Sequence, residues 1–302
     1  MRQASADVTT GGGRVQAPPR TLPLLLAPMS GILLVALGQS VLTTALPTVV
    51  GELGALRHLP WVVAAGLVAT AASVPLFGRL SDDLGRRRVF RAAIITFIIG
   101  TLASGAAQTL PQLLIARVVQ GIGGGGLITL PHAIVADVFS PRERGRYLGY
   151  TVSMHVLASV LGPLVGGLLV DHVSWRVALA APAPVGIYAL MVSVRVPDQR
   201  SGREGRASLT SASLLATGVV SLMLAVLAGG ALGWTSSPML LAGAVAAASM
   251  AAYVAHARRS ADAVIPPGLL RNPTVAVTTA VGLLLGMSLH GSLAFLPVFF
   301  QV

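Results

Sequence analysis

The chain has 302 residues and a formal net charge of +11, and 54% of its residues are hydrophobic whereas only 10% are charged. Together with a mean hydropathy of +0.79, apolar runs of about 20 residues exclude an ordinary water-soluble domain and predict an all-α integral membrane protein. The absence of cysteine excludes disulfide bonds, thiolate metal sites and cysteine nucleophiles.

Every basic side chain apart from histidine is an arginine, and arginine-rich connections alternate with arginine-poor ones along the chain. They cluster before the first apolar run and after the second, fourth, sixth and eighth, whereas the intervening turns carry only Arg57 and Arg176. The positive-inside rule therefore predicts a cytoplasmic amino terminus in a multi-pass inner-membrane protein. Nucleic acid is not an expected partner, because base-stacking aromatic residues are missing beside the basic patches.

The sequence of the first two-thirds of the chain predicts a disordered tail followed by a bundle of transmembrane helices. Residues 1–20 are rich in Gly, Pro, Thr and Arg without periodicity, which predicts a disordered cytoplasmic tail. Residues 21–196 predict a six-helix transmembrane bundle. Its helices are expected at Leu22–Val50, Leu59–Leu80, Val89–Thr109, Gln112–Phe139, Tyr147–Val170 and Val177–Val196.

Three further apolar runs follow the sixth helix. A cytoplasmic loop at 197–208 precedes two predicted transmembrane helices within 209–257, and a second cytoplasmic loop occupies 258–274. Residues 275–302 are apolar to the last position and predict one more membrane helix. Gly and Ala are frequent in all these runs, which is typical of membrane helices that pack through small residues.

A short charged hairpin is predicted between the second and third helices. Gly78 and Gly85 allow a tight reversal of the chain. Asp82 can accept charge-assisted hydrogen bonds, and Arg86 and Arg87 begin a basic block that would face the anionic inner leaflet. Topological charge alone is the alternative interpretation, but that role does not require an aspartate.

The fourth predicted helix contains a cation, Arg117, about a turn and a half from its start. An unpaired arginine at such a position costs about 2.5–3.5 kcal/mol, so its burial favours a functional role over snorkelling to the interface. Gln120 lies on the same helix face and could hold Arg117 by hydrogen bonds. The glycine run Gly121–Gly126 predicts a smooth surface that lines a cavity or packs against a neighbouring helix.

The fifth predicted helix carries a glycine and proline motif. Gly162, Pro163, Gly166 and Gly167 are expected to interrupt and bend this helix and to let another helix approach closely. A structural role for that bend is the alternative to a functional one. On the same helix, His155 could gain a proton near neutral pH, with a simple packing role as its alternative.

Three motifs in this order resemble those of the major facilitator superfamily: the charged hairpin, Arg117-Val118-Val119-Gln120-Gly121, and Gly162-Pro163-Leu164-Val165-Gly166-Gly167. A finer resemblance, to the fourteen-helix drug/proton antiporter branch, rests on Ala45-Leu46-Pro47, Trp175-Arg176 and Gly233-Trp234. The resemblance covers nearly the whole chain after the tail.

The resemblance implies a six-helix bundle that rocks against a second six-helix bundle to give alternating access to a central cavity. Helices seven and eight are then linker helices, and the ninth begins the second bundle. The chain is therefore expected to be the amino-terminal fragment of a longer protein, or else to need a second chain to complete the cavity. A nucleotide sequence that continued for five further spans would dismiss a transport-inactive protein that acts through a partner, whereas an immediate stop codon would favour it.

The resemblance also implies roles for the motif residues. A conformational latch would be formed by Gly78, Asp82, Gly85, Arg86 and Arg87. Proton coupling would depend on Arg117 and Gln120, with His155 as a candidate titrating group. The helix-five antiporter motif would comprise Gly162, Pro163, Gly166 and Gly167.

Two departures from the pattern of the resembled family change the charge at a position. Related antiporters have an aspartate in the first helix where this chain has Gly38, and a basic residue where it has Asp83. The first departure leaves Arg117 without the acid that it would be expected to serve. The titrating group of this chain is therefore left open.

The expected function is secondary active transport, namely proton-coupled efflux of drug-like or antibiotic small molecules, with an antibiotic-resistance phenotype. The partners would be a small amphipathic substrate, protons and the lipid bilayer. One alternative is a metabolite facilitator or importer of the same superfamily, and another is a transport-inactive membrane protein that acts through a partner. No enzyme, cofactor or metal site is expected, because convergent ligands, a nucleophile elbow and a phosphate loop in a suitable context are missing.

Overall fold

A computed structural model describes residues 21–54, 59–197, 209–260, 263, 268 and 272–301. The predicted tail at 1–20 lies outside these residues, as do most of the two predicted loops. Throughout the described part, the regular secondary structure is helical, which confirms the predicted all-α fold class.

Ten α-helices account for most of the described residues. The sixth membrane span consists of two short helices and a terminal 3-10 turn, Ser193–Arg195, so the span as a whole covers Trp175–Arg195. In chain order the helices are α1 (Thr21–Glu52), α2 (Leu59–Leu84), α3 (Arg86–Ala106), α4 (Leu110–Val138), α5 (Pro141–His172), α6 (Trp175–Ala180), α7 (Ala183–Val192), α8 (Leu209–Leu232), α9 (Ser237–Arg259) and α10 (Pro273–Gln301).

Eight spans in the described residues are long and apolar enough to cross a membrane. They are α1 to α5, the sixth span, α8 and α9, as the apolar runs predicted. The helix of the ninth run is also present, as α10.

The predicted and observed helices differ at two prolines. The sixth span is interrupted at Ala181 and Pro182, because a proline ring inside a helix removes a hydrogen bond and clashes with the preceding turn. The interruption that we expected at Pro163 is wrong, since α5 is a continuous helix. Membrane helices tolerate an internal proline where neighbouring helices and side chains satisfy the released backbone group.

Helix α5 begins earlier than predicted, at Pro141 instead of Tyr147. Proline is favourable in the first helical turn. The charged side chains that follow Pro141 exclude this first part of α5 from the apolar layer, but they do not prevent it from being helical. Arg144 contributes to this junction, because its Nη2 donates to the Ala136 carbonyl at 2.6 Å and its Nε to the Phe139 carbonyl at 3.1 Å. The arginine thereby caps the carboxyl end of α4.

The spans α1 to α7 form one bundle in which α1 and α4 are the most buried members. Helix α4 packs against α2 and α3, and α1 packs against α5. Phe90 and Phe97 of α3 pack with Leu34 of α1 and Leu127 of α4 in the bundle core. Helices α8 and α9 form a hairpin whose first member packs against α2.

The bundle has two ends with different charge. We call the end with residues 79–91 and 137–146 the arginine-rich end, and the end with Glu52 and Trp175 the opposite end. At the arginine-rich end α2 and α3 are joined by Gly85 alone, whose φ of 95° belongs to the left-handed region that favours glycine. Gly78 lies inside α2, so its predicted part in the turn is wrong; the helix simply continues past it to Leu84.

Candidate functional site

The buried guanidinium of Arg117 is the centre of the candidate site. Arg117 is 2% exposed and lies on α4, four residues before its glycine run. The predicted packing role of that run is confirmed, since a Cβ added at Gly121 would lie 2.3 Å from the Gly66 carbonyl oxygen of α2. One added at Gly123 would lie 2.4 Å from the Phe97 nitrogen of α3. The glycines let the backbone of α4 pack directly against the backbones of α2 and α3. Arg117 is therefore enclosed between these helices.

Polar side chains from three helices meet at Arg117. Its Nη1 donates to Gln120 Oε1, and its Nη2 lies 3.4 Å from Gln39 Oε1 of α1. Gln120 Nε2 in turn donates to Thr101 Oγ1 of α3 at 2.9 Å. We call these four residues, Gln39, Thr101, Arg117 and Gln120, the Arg117 cluster. The predicted pairing of Arg117 with Gln120 is present in the structure.

Glycines make room for the Arg117 cluster on three sides. A Cβ at Gly66 would lie 2.7 Å from Arg117 Nη2, and one at Gly100 would lie 2.3 Å from the backbone nitrogen of Gln120. A Cβ at Gly38 would lie 3.4 Å from Gln120 Nε2 and 3.0 Å from the Phe97 ring. The position at which the resembled antiporters carry an aspartate therefore lies directly beside this cluster.

The partners of Arg117 are neutral. Within the described residues its hydrogen-bond acceptors are two carboxamides, and no carboxylate forms an ion pair with it. Its Nε is buried and has no hydrogen-bond partner among the described residues. Amide dipoles stabilise the cation without neutralising it, so the cluster presents a positive potential inside the apolar layer.

The other predicted residues on α5 lie apart from this cluster. His155 is exposed on α5 and is not a hydrogen-bond partner of Arg117 or Gln120. Gly162 meets α1, since a Cβ there would lie 2.3 Å from Ser40 Cβ; one at Gly166 would lie 3.4 Å from Val41 Cα. The close helix approach predicted from the α5 glycines is therefore present, although the interruption at Pro163 is not.

A second polar site lies at the arginine-rich end. Arg86 donates from Nη2 to Asp82 Oδ1 and from Nε to Asp137 Oδ2, both at 2.9 Å, and from Nη1 to Ser81 Oγ. We call Ser81, Asp82, Arg86 and Asp137 the Arg86 cluster. It joins the end of α2, the start of α3 and the end of α4, and within it Asp82 and Arg86 of the predicted latch pair with each other.

The neighbouring charges of the predicted hairpin have other partners. Asp83 pairs with Arg79 at 3.2 Å, one helical turn earlier. Arg87 donates from Nε to the Val196 carbonyl at 2.6 Å, which ties the start of α3 to the end of the sixth span. Arg87 is therefore not part of the Arg86 cluster with which we had grouped it.

Sequence reasoning missed several members of these sites. For Asp137, the available signal was its position near the end of the fourth predicted helix, just before the arginines of the next helix. Gln39 and Thr101 had no signal beyond being polar residues in apolar runs. At the opposite end, Glu52 accepts a hydrogen bond from Trp175 Nε1 at 2.6 Å and pairs with Arg176 at 3.3 Å, a contact no local pattern indicated.

Comparison with known sequences identifies a family. The profile described as Major Facilitator Superfamily matches residues 29–302. Multidrug resistance protein 3 of Bacillus subtilis is 32% identical over 280 residues, which cover 92% of this chain and 55% of that protein. The Multidrug transporter protein MdtP of the same organism is 31% identical over 269 residues, covering 88% and 50%. The efflux pump FUS6 of Gibberella fujikuroi is 31% identical over 279 residues, covering 89% and 50%.

Solved structures support the same fold. The human organic anion transporter MFSD10 aligns with a TM-score of 0.56 and 19% identity, over 70% of this chain and 56% of that chain. The proton:xylose symporter XylE aligns with a TM-score of 0.55 and 18% identity, over 78% of this chain and 54% of that chain. Identities this low are informative about the fold alone. The chain spans about half the length of the curated relatives named above.

Proposed function

The chain belongs to the major facilitator superfamily, and on that premise we propose that the full-length protein is a proton-coupled exporter of amphipathic small molecules such as drugs or antibiotics. The superfamily consists of transport proteins and not of enzymes. The names of the relatives, which include multidrug transporters and an efflux pump, support export as the direction of transport.

The Arg117 cluster is the observation that carries this proposal. Placing a cation that is 2% exposed in the membrane layer costs about 2.5–3.5 kcal/mol of free energy. Two carboxamides offset part of that cost but leave the charge in place. A positive potential at this position favours the ionised form of any acid that approaches it, and protonation of that acid weakens the attraction. Proton binding can thereby shift the balance between two arrangements of the protein.

The acid that responds to Arg117 is proposed to lie outside this bundle. Gly38 supplies no carboxylate on α1, and the acids of the described residues lie at or near helix ends. The second bundle of the full-length protein, or the substrate itself, can bring an acid to the cluster. His155, which is exposed on α5, is a further candidate for proton coupling.

The organisation of the whole protein is part of the proposal. This chain would supply the first bundle of the fourteen-helix antiporter type, α8 and α9 its linker pair, and α10 the first helix of a second bundle. The arginine-rich end would face the cytoplasm, with the protein in the plasma membrane, because arginines concentrate at that end. The Arg86 cluster would then act as a cytoplasmic latch that holds one arrangement of the two bundles.

A metabolite facilitator is the second candidate function. It is favoured by one observation, the absence of a carboxylate partner for Arg117 among the described residues. A facilitator needs no titrating group, because the substrate gradient alone drives its cycle. Measuring protons and substrate together therefore separates the two functions.

Everted membrane vesicles that contain the full-length protein provide the test. After respiration has acidified the lumen, a cationic amphiphile such as ethidium is added while a pH-sensitive dye reports the lumenal pH. Export coupled to protons predicts ethidium accumulation in the vesicles together with proton release from the lumen. Both signals should disappear when an uncoupler collapses the gradient.

Two outcomes would contradict the proposal. Ethidium accumulation with an unchanged proton trace would remove antiport, and a panel of amphiphiles that are all taken up by intact cells instead of exported would favour the facilitator. Vesicles that contain the Arg117→Ala variant at the same abundance serve as the control, because they retain the passive permeability of the membrane.

A further inference from the structure

An apolar cavity lies between the first bundle and the hairpin of α8 and α9. It has a volume of about 580 Å³ and is bounded by α2, α4 and α8. Helix α2 contributes Ala65 and Ala72, α4 contributes Ile122, and α8 contributes Leu224 and Leu227. The alanines create the space, since larger side chains at these positions would extend into it. The volume is within the range of about 300–1,000 Å³ that ligand sites occupy.

The lining of this cavity offers almost no hydrogen bonds. Its one hydroxyl, on Ser73, already donates to the Thr70 carbonyl at 3.0 Å. Trp61 contributes an aromatic ring at the end of the cavity nearer the opposite end of the bundle. Arg117 is not part of the lining. A cavity with this chemistry does not hold water and accepts an apolar occupant.

The depth of the cavity identifies where that occupant comes from. Its α2 lining runs from Trp61 to Leu80 and its α8 lining from Val220 to Leu227, both within membrane spans. At this depth, lipid chains are the most abundant apolar material. Several lining side chains are also partly exposed at the protein surface, for example Leu76 at 38% and Ile122 at 40%. The cavity is therefore partly open at the protein surface.

We propose that this cavity is a binding site for one hydrocarbon chain of a membrane phospholipid, held between α2 and α4 of the bundle and α8 of the hairpin. Filling the space restores the dispersion contacts that an empty cavity would lose. The bound hydrocarbon chain would thus couple α8 to the bundle. This inference does not depend on the direction of transport or on proton coupling.

Photolabelling of the full-length protein tests the site. The protein is placed in vesicles of phosphatidylcholine whose acyl chains carry a mid-chain diazirine, and labelled peptides are mapped by mass spectrometry. The expected result is labelling of α8 around Leu224 several-fold above that of the exposed α5 face around Val160, which is 66% exposed. Equal labelling of the two surfaces would overturn the proposal.

Two variants sharpen this test. Ala72→Phe places an aromatic ring in the cavity and should lower α8 labelling to the level of the α5 face. Leu67→Phe is the matched control on α2, because Leu67 is 42% exposed and outside the cavity lining. Unchanged α8 labelling in Ala72→Phe would overturn the proposal, and Ala65→Leu replaces that variant if it does not insert. Labelled free fatty acid added to unlabelled vesicles is the comparison arm: because the lining contacts only the hydrocarbon chain, it should label α8 in proportion to its share of the chains in the membrane.

Discussion

The two arginine clusters of this bundle solve the same electrostatic problem in different ways. Arg86 lies at a helix end and is held by two carboxylates at 2.9 Å. Arg117 lies within the apolar layer and is held by two carboxamides. The first arrangement neutralises its cation, whereas the second only solvates it. Because an uncompensated charge costs more in a low-dielectric environment, the Arg117 cluster is the one whose energy responds to an approaching acid.

The two clusters also differ in how the backbone supports them. The Arg117 cluster depends on close packing, since Gly66 and Gly100 leave no room for a methyl group. The Arg86 cluster depends on one turn residue, Gly85, and on partly exposed acids, with 46% of the Asp82 side chain and 32% of Asp137 exposed. Substitutions should therefore affect the buried cluster much more strongly than the exposed one.

Replacing the buried cation should have the largest effect. Arg117→Ala removes two charge-assisted hydrogen bonds, each worth about 1.5–3 kcal/mol, and we expect coupled transport in everted vesicles to fall about 100-fold or more. Insertion should remain intact, as judged by abundance in the membrane fraction. Arg91→Ala, which removes an exposed arginine of α3, is the control. Transport within a few-fold of the unchanged protein would show that the cluster is not functional.

Filling the contact between α3 and α4 should have the next largest effect. Gly100→Ala places a methyl group against the backbone of Gln120, and overpacking of this kind costs about 1–3 kcal/mol. The midpoint of thermal unfolding in detergent should fall by several degrees. Gly149→Ala on α5 is the matched control, because nothing lies within 4 Å of the added Cβ. Equal midpoints in the two variants would contradict the close packing described here.

Removing one amide tests whether the buried cluster works as a connected unit. Gln120→Leu keeps the volume but breaks the link from Arg117 to Thr101, and the lost bond to a charged group predicts a decrease in transport of about tenfold. Thr101→Val, which removes only the last hydrogen-bond partner in the series from Arg117 through Gln120 to Thr101, should have a smaller effect. If both variants transported like the unchanged protein, the amide would have a packing role alone.

The exposed cluster should give the smallest effect and the one that depends on salt. Asp82→Asn removes one of the two carboxylates at Arg86, and partly exposed pairs contribute about 0–1 kcal/mol, so we expect a change in transport rate of a few-fold. Raising ionic strength should reduce the difference between this variant and the unchanged protein. Asp83→Asn, which affects the Arg79 pair instead, is the control. An equal effect of the two substitutions would contradict the specific role of Asp82.

Most of the fold could be predicted from sequence because a membrane span depends on a local property, the length of an apolar run. The pairing of Arg117 with Gln120 also follows from local spacing on a helix, whereas Asp82 and Arg86 pair across the turn at Gly85. Asp137 and Gln39 could not be found in this way, since they reach their arginines across 51 and 78 residues of sequence. Such contacts depend on the rotation of each helix about its axis, which packing determines.

The prolines illustrate the same limit. Pro163 and Pro182 both lie in apolar runs, yet α5 continues through the first and the sixth span is interrupted at the second. Residue type alone could not distinguish them. Whether a helix continues through a proline depends on its surroundings, because the backbone carbonyl that proline leaves unpaired needs another partner.

The contacts of Glu52 with Trp175 and of Arg87 with the Val196 carbonyl lie on opposite sides of the membrane layer. Each fastens the sixth span to an earlier helix, at its beginning in one case and just beyond its end in the other. Contacts at both ends of one span oppose sliding of that span against the rest of the bundle. We therefore expect the bundle to move as one rigid body in the alternating-access cycle proposed above.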